Sequence, residues 1–220
     1  MNMTPKALCT ALTRAATLQH QWVARWHEPD APDTAHAGHG PEAELVAVIL
    51  QQHRQNFLLW HVEDRARRHD VTDAVITQCK RDIDALNQRR NDLMEQVDAL
   101  LVRIVSAFPA QQVKETQQAR YNTETLGAAL DRLSILSLKI FHMQEQTQRS
   151  DVDAAHVARC MDKVRILEEQ HQDLSQAIGE LVEEYALGTK RPKVYYQCKM
   201  YNDPTLNPEL YTGSAVGSHT

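Results

Sequence analysis

Between Asp73 and Ala107 the apolar residues Ile76, Cys79, Ile83, Leu86, Leu93, Val97, Leu100 and Ile104 follow one another at alternating steps of three and four, with Arg90 in the same stripe. That spacing predicts one long amphipathic helix, about 50 Å from end to end, which Pro109 stops. A stripe of this length can be covered only by other long helices, and the chain supplies them. Thr4 followed by Pro5 is an N-cap and first-turn pair, opening a helix to about Trp26. A second helix is expected from near Pro41 to about Arg68, with a short turn at Asp70 to Thr72 leading into the long one. Thr125 to Gln148 is apolar on most sides (Leu126, Leu130, Leu133, Leu136 and Ile140, with Ile135, Leu138 and Phe141), the pattern of a buried helix. Ser150 and Asp153 read as a capping box, with Asp in place of Glu, for a last long helix that Gly188 closes.

Two stretches have no helical period. His27 to Pro41 collects Pro, Gly and Asp and reads as a linker or mobile loop; its His27, His36 and His39 could bind a metal adventitiously, but a solvated loop is the favoured reading. KRPKVYYQCKMYNDPTLNPELYTGSAVGSHT reads as an extended tail that packs on the bundle through its tyrosines as far as Tyr211. The expected fold is all-α: a long antiparallel four-helix bundle with an extra N-terminal helix and an extended C-terminal strap. Its parts are the N-terminal helix 1–26, the linker 27–41, the bundle with its strap 42–211, and a disordered tail 212–220.

Composition narrows the function classes. The 220 residues carry 24 basic and 29 acidic side chains, a formal charge of −5, so no basic field draws nucleic acid. No apolar run approaches the ~18 residues of a membrane span, and the opening MNMTPKALCTALTRAATLQ lacks the apolar core of a signal peptide. The expected location is therefore cytoplasmic. Cys9, Cys79, Cys160 and Cys198 stand apart with no CxxC, which fits reduced thiols better than a disulfide or zinc framework. No GxSxG, Walker loop, GxGxxG or HExxH occurs.

Polar residues at core positions are the informative feature. Arg90 interrupts the long stripe, and Asn56 shares an inward face of the second helix with Leu45, Ile49 and Trp60. Counting equal distances from each turn gathers His53, Asn56, Trp60, Asn87, Arg90, Asn91, His142 and Glu145 in one layer, with His156 and Cys160 added from the last helix. Such a layer is either a buried hydrogen-bond network that fixes register or a ligand pocket between helices. The single ExxH of Glu168 and His171 is a weak metal candidate, counted level with Asp131 and near Asp98; a di-iron bundle needs two such motifs, so no metal set is expected.

The strings NFLLWHVEDRAR, IDALNQRRNDL, NTETLGAALDRLSILSLKIFHM and KVYYQCKMYNDPTLNPELY span residues 56 to 211. Together they resemble a bacterial family, domain of unknown function 4254. The resemblance implies an all-helical cytoplasmic protein, often encoded beside glycosyltransferases of cell-surface polysaccharide assembly, with no established activity. It points to Asn56, Trp60, His61, Glu63, Asp64 and Arg67; to Asn87, Arg90, Asn91 and Asp92; to Asn122, Glu124, Thr125, Asp131, Arg132 and His142; and to Lys199, Tyr201, Asn202 and Asp203. The chain departs from the family pattern at Leu126, where Pro is expected, and at His171, where Arg is expected.

The reading these observations favour is a polar intra-bundle pocket for a small anionic or glycosyl-type ligand, in an enzyme or accessory of surface-polysaccharide metabolism. Arg90 would hold an anion, Asn56, Asn87 and Asn91 would orient hydroxyls, and Trp60 would stack. Asp131, Arg132, Lys199, Tyr201, Asn202 and Asp203 complete the expected ligand-binding set. If chemistry occurs, His61, Glu63, Asp64 and His142 are the candidates for general acid or base. The alternatives are a helical module docking a protein such as a glycosyltransferase, and a metal-binding bundle. A homo-oligomer is compatible with each, and no cofactor is specified.

Overall fold

A computed structural model describes residues 3–40, 42–112, 120–196, 198, 200 and 203–211. Among these the chain is all-helical: α1 (Pro5–Trp26), α2 (Ala43–Ala66), α3 (Asp73–Ser106), α4 (Pro109–Gln112), α5 (Leu126–Thr147), α6 (Ala154–Leu187) and α7 (Pro208–Tyr211). No helix among the described residues is long and apolar enough to cross a membrane.

The caps lie close to where the sequence puts them. Thr4 accepts from the Ala7 amide at 3.2 Å, and Thr125 from the Ala128 amide at 3.1 Å. At α6 the cap is Asp153 itself, accepting from the His156 amide at 2.6 Å, and Ser150 lies outside the helix. The box therefore reduces to a single Asp cap, because the helix begins only after it. Gly188, at φ 75°, ends α6 in the left-handed region that favours glycine. The one-turn helix α4, just after the Pro109 stop, is absent from the hydrophobic pattern because four residues cannot show a period.

Two hairpins, α2–α3 and α5–α6, make the most extensive pairings, and α1 packs against α2, α5 and α6. Leu8, Ala11, Leu12 and Ala15 of α1 share one core with Leu45, Ile49, Leu101, Ile104, Leu130, Leu133, Ile178 and Val182. The N-terminal helix is thus a full member of the core. The α3 stripe is buried from Val97 onward, whereas nearer its start only Cys79 and Leu86 are buried. Its neighbour α5 has 22 residues against the 34 of α3, too few to cover it throughout.

One contact sets where α5 begins. The buried Asp98 carboxylate accepts from the Gly127 amide at 2.7 Å, so α5 starts beside α3 about two turns before α3 ends. The approach demands glycine: a Cβ at Gly127 would lie 2.7 Å from Asp98 Oδ1 and 2.9 Å from the Met94 carbonyl oxygen.

The strap is anchored at this same end, mainly by backbone groups and amides. Arg191 donates its amide to the Arg120 carbonyl at 3.0 Å and its guanidinium to the Gln111 carbonyl at 3.1 Å. Gln111 in turn donates to the carbonyls of Tyr185 and Lys190 at 2.6 and 2.9 Å. Tyr195 donates its hydroxyl to the Asn122 carbonyl, yet its ring is 47% exposed and that of Tyr196 73%. Packing through these two tyrosines, as the tail composition suggested, is therefore not what holds the strap. The expected disordered tail 212–220 lies outside the described residues.

Candidate functional site

The polar layer is built around Asp131, on the inner face of α5. Its Oδ1 accepts from Asn56 Nδ2 at 2.9 Å and Arg90 Nε at 2.8 Å and also from Gln52, while Oδ2 takes the second arm of the Arg90 guanidinium. One turn on, Ser134 accepts from Asn56 Nδ2 at 2.8 Å and meets His53 Nδ1 at 2.7 Å. Gln52, His53, Asn56, Asp131 and Ser134 are all buried. A carboxylate in such a place would be costly without partners, and here a bidentate arginine and two amides supply them. The hydrogen bonds to Asp131 push the Arg90 pKa still further up, against the opposing effect of burial. Burial drives His53 down to about 3, so this imidazole is neutral.

Above this floor opens a cleft of about 420 Å³, lined by Asn56, Trp60, Glu63, Asp64, Arg67, Asn87 and Arg90 with Leu59, Ile135 and Leu138. Glu63 and Arg67 form an ion pair at 3.1 Å one turn apart on α2. Asn87 accepts from Arg90 at 3.4 Å. The amides, the indole and the two carboxylates therefore meet at one opening. A second cleft, of about 370 Å³ between α1, α5 and α6, is mainly apolar and contains His20, His171 and Ser175 but none of the layer residues.

Beside Trp60 lies an aromatic group that register counting does not resolve. The His142 ring stacks on the indole at 4.8 Å and 9°, and His27 stacks on Phe141 at 4.5 Å and 19°. His61 packs edge-on against His27 and His142. His27, though exposed, accordingly belongs to the helices and not to the loop: it caps α1 and turns onto α2 and α5. Burial, followed by the neighbouring His27 and His142, lowers the His61 pKa.

Several sequence expectations move. His142 and Glu145 are not in the Asp131 layer; they pair with each other at 2.6 Å, about three turns further along α5. Equal counting from the connector sets the start of α5 level with the end of α3, whereas the Asp98–Gly127 contact staggers them. His156 and Cys160 meet each other at 3.4 Å on α6, apart from the layer. Glu168 accepts from Gln144 at 3.4 Å, while His171 lines the apolar cleft, so the ExxH forms no metal-competent cluster among the described residues. Arg132 pairs with Glu124 at 3.1 Å and does not line the cleft over Asp131, and neither does Asn91. Asp203 caps its own turn by accepting from the Thr205 amide at 2.8 Å. Lys199, Tyr201 and Asn202 lie outside the described residues. Gln52 and Ser134 are absent from the sequence reading, and His27 is placed there in the loop and not beside His61 and His142. Gln52 stands one turn before Asn56, a signal that could have been read, whereas a single serine or a cap histidine carries no period.

A bundle of long helices joined by a buried polar seam, with a cleft over that seam, defines the general class. Within it, the model of a family described as protein of unknown function (DUF4254) matches residues 46–194, and the chain belongs to that family. No curated protein and no solved structure matches the chain.

Proposed function

We propose that the cleft over the Asp131 layer binds a glycosyl-type ligand. The observation that carries this is the state of Arg90: its charge is already met by Asp131, so an anion is not needed to balance it. Facing the opening are planar amides, two guanidiniums, two carboxylates and one indole, a set suited to hydroxyl pairs and to the apolar face of a sugar ring. Asn56 and Asn87 orient hydroxyls, Glu63 and Asp64 accept from them, and Trp60 offers the part of its ring that His142 leaves uncovered. Glu63 and Asp64 are also the groups placed to move a proton if the ligand is transformed. The setting in bacterial surface-polysaccharide metabolism, and the cytoplasmic location, are carried by the family resemblance. The docking-module reading is supported less, since Trp60 belongs to a cleft while Tyr195 and Tyr196 sit on the connector end of the bundle.

The test is a thermal-shift screen with monosaccharides, nucleoside-diphosphate sugars and inorganic phosphate, using wild type, Asn87→Ala and Trp60→Phe. One glycosyl compound should raise the melting temperature of wild type and do so less for either variant. A response to phosphate alone, or to none of the compounds, sinks the reading.

A further inference from the structure

The three histidines beside Trp60 come from three elements: His27 caps α1, His61 lies on α2 and His142 on α5. Their ring centroids form a nearly equilateral triangle, 5.1 Å for His27–His61, 5.1 Å for His27–His142 and 5.5 Å for His61–His142. Each pair meets edge-on, at 73°, 77° and 82°, and one ring nitrogen of each residue lies within 4.8 Å of the other two.

Hydrogen bonding shows which nitrogen is free on two of the three. His27 Nδ1 lies 2.7 Å from the Val23 carbonyl, which can only accept, so Nδ1 carries the proton and Nε2 keeps its lone pair. His142 Nδ1 faces the Glu145 carboxylate at 2.6 Å, with the same consequence. The Nε2 atoms of His61 and His142 are buried and have no hydrogen-bond partner among the described residues. Ring nitrogens thus stand close together with no hydrogen bond between them, an arrangement that costs free energy until something electropositive occupies the centre.

We propose that His27, His61 and His142 bind one divalent transition-metal ion of the zinc class through their Nε2 atoms. Three imidazoles without an oxygen ligand disfavour calcium and magnesium and suit zinc and its neighbours. Metal–nitrogen bonds of about 2.0–2.1 Å place tetrahedral nitrogens about 3.3 Å apart. The triangle therefore tightens on binding, and His27, exposed at the end of α1, is the ligand with room to move. The outer partners of two ligands are in place, the Val23 carbonyl for His27 and the Glu145 carboxylate for His142. Three protein ligands leave a fourth position for water or a substrate atom, the pattern of catalytic rather than structural zinc sites. His27 precedes residues 46–194, so the family match does not carry this site.

The experiment uses full-length protein without an affinity tag, stripped with chelator and dialysed, then titrated with Zn²⁺ by calorimetry and with Co²⁺ by visible spectroscopy. Wild type should take up one equivalent, give the visible bands of tetrahedral cobalt, and melt at a higher temperature with Zn²⁺. His27→Ala removes an exposed cap ring that lies against Phe57 and Phe141, and it should weaken binding at least tenfold. Glu145→Gln keeps all three ligands and should weaken it by roughly 10- to 100-fold. His171→Ala is the control and should bind as wild type does. Substoichiometric uptake by wild type overturns the proposal, as does uptake that survives both His27→Ala and Glu145→Gln or that is lost equally in His171→Ala.

Discussion

Asp131 brings a negative charge into a helix whose other inward residues are apolar or hydroxyl-bearing, and its neighbours are arranged around that charge. Removing the charge while keeping the shape leaves Arg90 three-quarters buried without a counter-ion. Asp131→Asn is expected to cost about 3 kcal/mol in urea unfolding, the lower end for breaking a buried pair because Arg90 is partly solvated. The double variant Asp131→Asn/Arg90→Met should cost less than Asp131→Asn alone, and equal or greater cost would contradict a charge-pair account. His53 makes a second prediction at this scale. Its folded value of about 3 lies below the ordinary 6.5, so in acid the unfolded chain takes up a proton that the folded one refuses. Stability should fall as the pH drops from about 6.5 toward 3, by up to about 1.4 kcal/mol per pH unit from this group. Denaturation midpoints at pH 7 and pH 5 should draw closer together in His53→Gln, with a residual slope from His61 and His171, whose values are lowered too.

Among the elements, α5 owes its position to a single close approach. Gly127→Ala forces a methyl against the Asp98 carboxylate and the Met94 carbonyl, neither of which is the loose end of a long side chain. A loss of about 1–3 kcal/mol is expected, typical of overpacking. The same variant should disturb the layer, because Arg90 and Asp131 meet only at the register that Gly127 permits. A loss of stability with the proposed glycosyl and metal binding unchanged would separate the two roles. The helices themselves were legible in the sequence. Thr4, Thr125 and Gly188 mark their ends, and the α3 stripe marks its buried face, because capping and amphipathic spacing are settled within a few residues. Their relative heights were not legible. Asn56 and Arg90 were placed level correctly because a short turn joins α2 to α3, whereas the longer α3–α5 connector hid a stagger of about two turns.

At the scale of the whole molecule, α1 closes the core and also supplies the cap histidine. Leu8 and Ala15 are fully buried against α2, α5 and α6, although both precede the stretch that defines the family. Deleting residues 1–41 should therefore expose a continuous apolar face and abolish a cooperative thermal transition in calorimetry. A sharp transition close to the wild-type temperature would show that the hairpins α2–α3 and α5–α6 suffice.

By itself the sequence determined the five long helices, their buried faces and most of their caps. Each follows from interactions between residues at most one or two turns apart, which any periodic pattern displays. Only the tertiary structure decided that Asp131 neutralises Arg90, that His142 leaves the layer for Trp60, and that His27 joins His61 and His142. These depend on how far one helix is slid and turned against another. A shift of one residue moves a side chain by about 1.5 Å along the axis and about 100° around it, and leaves the hydrophobic pattern unchanged. The close contact of Asp98 with Gly127 fixes that shift between α3 and α5, and it is visible only once the helices are packed.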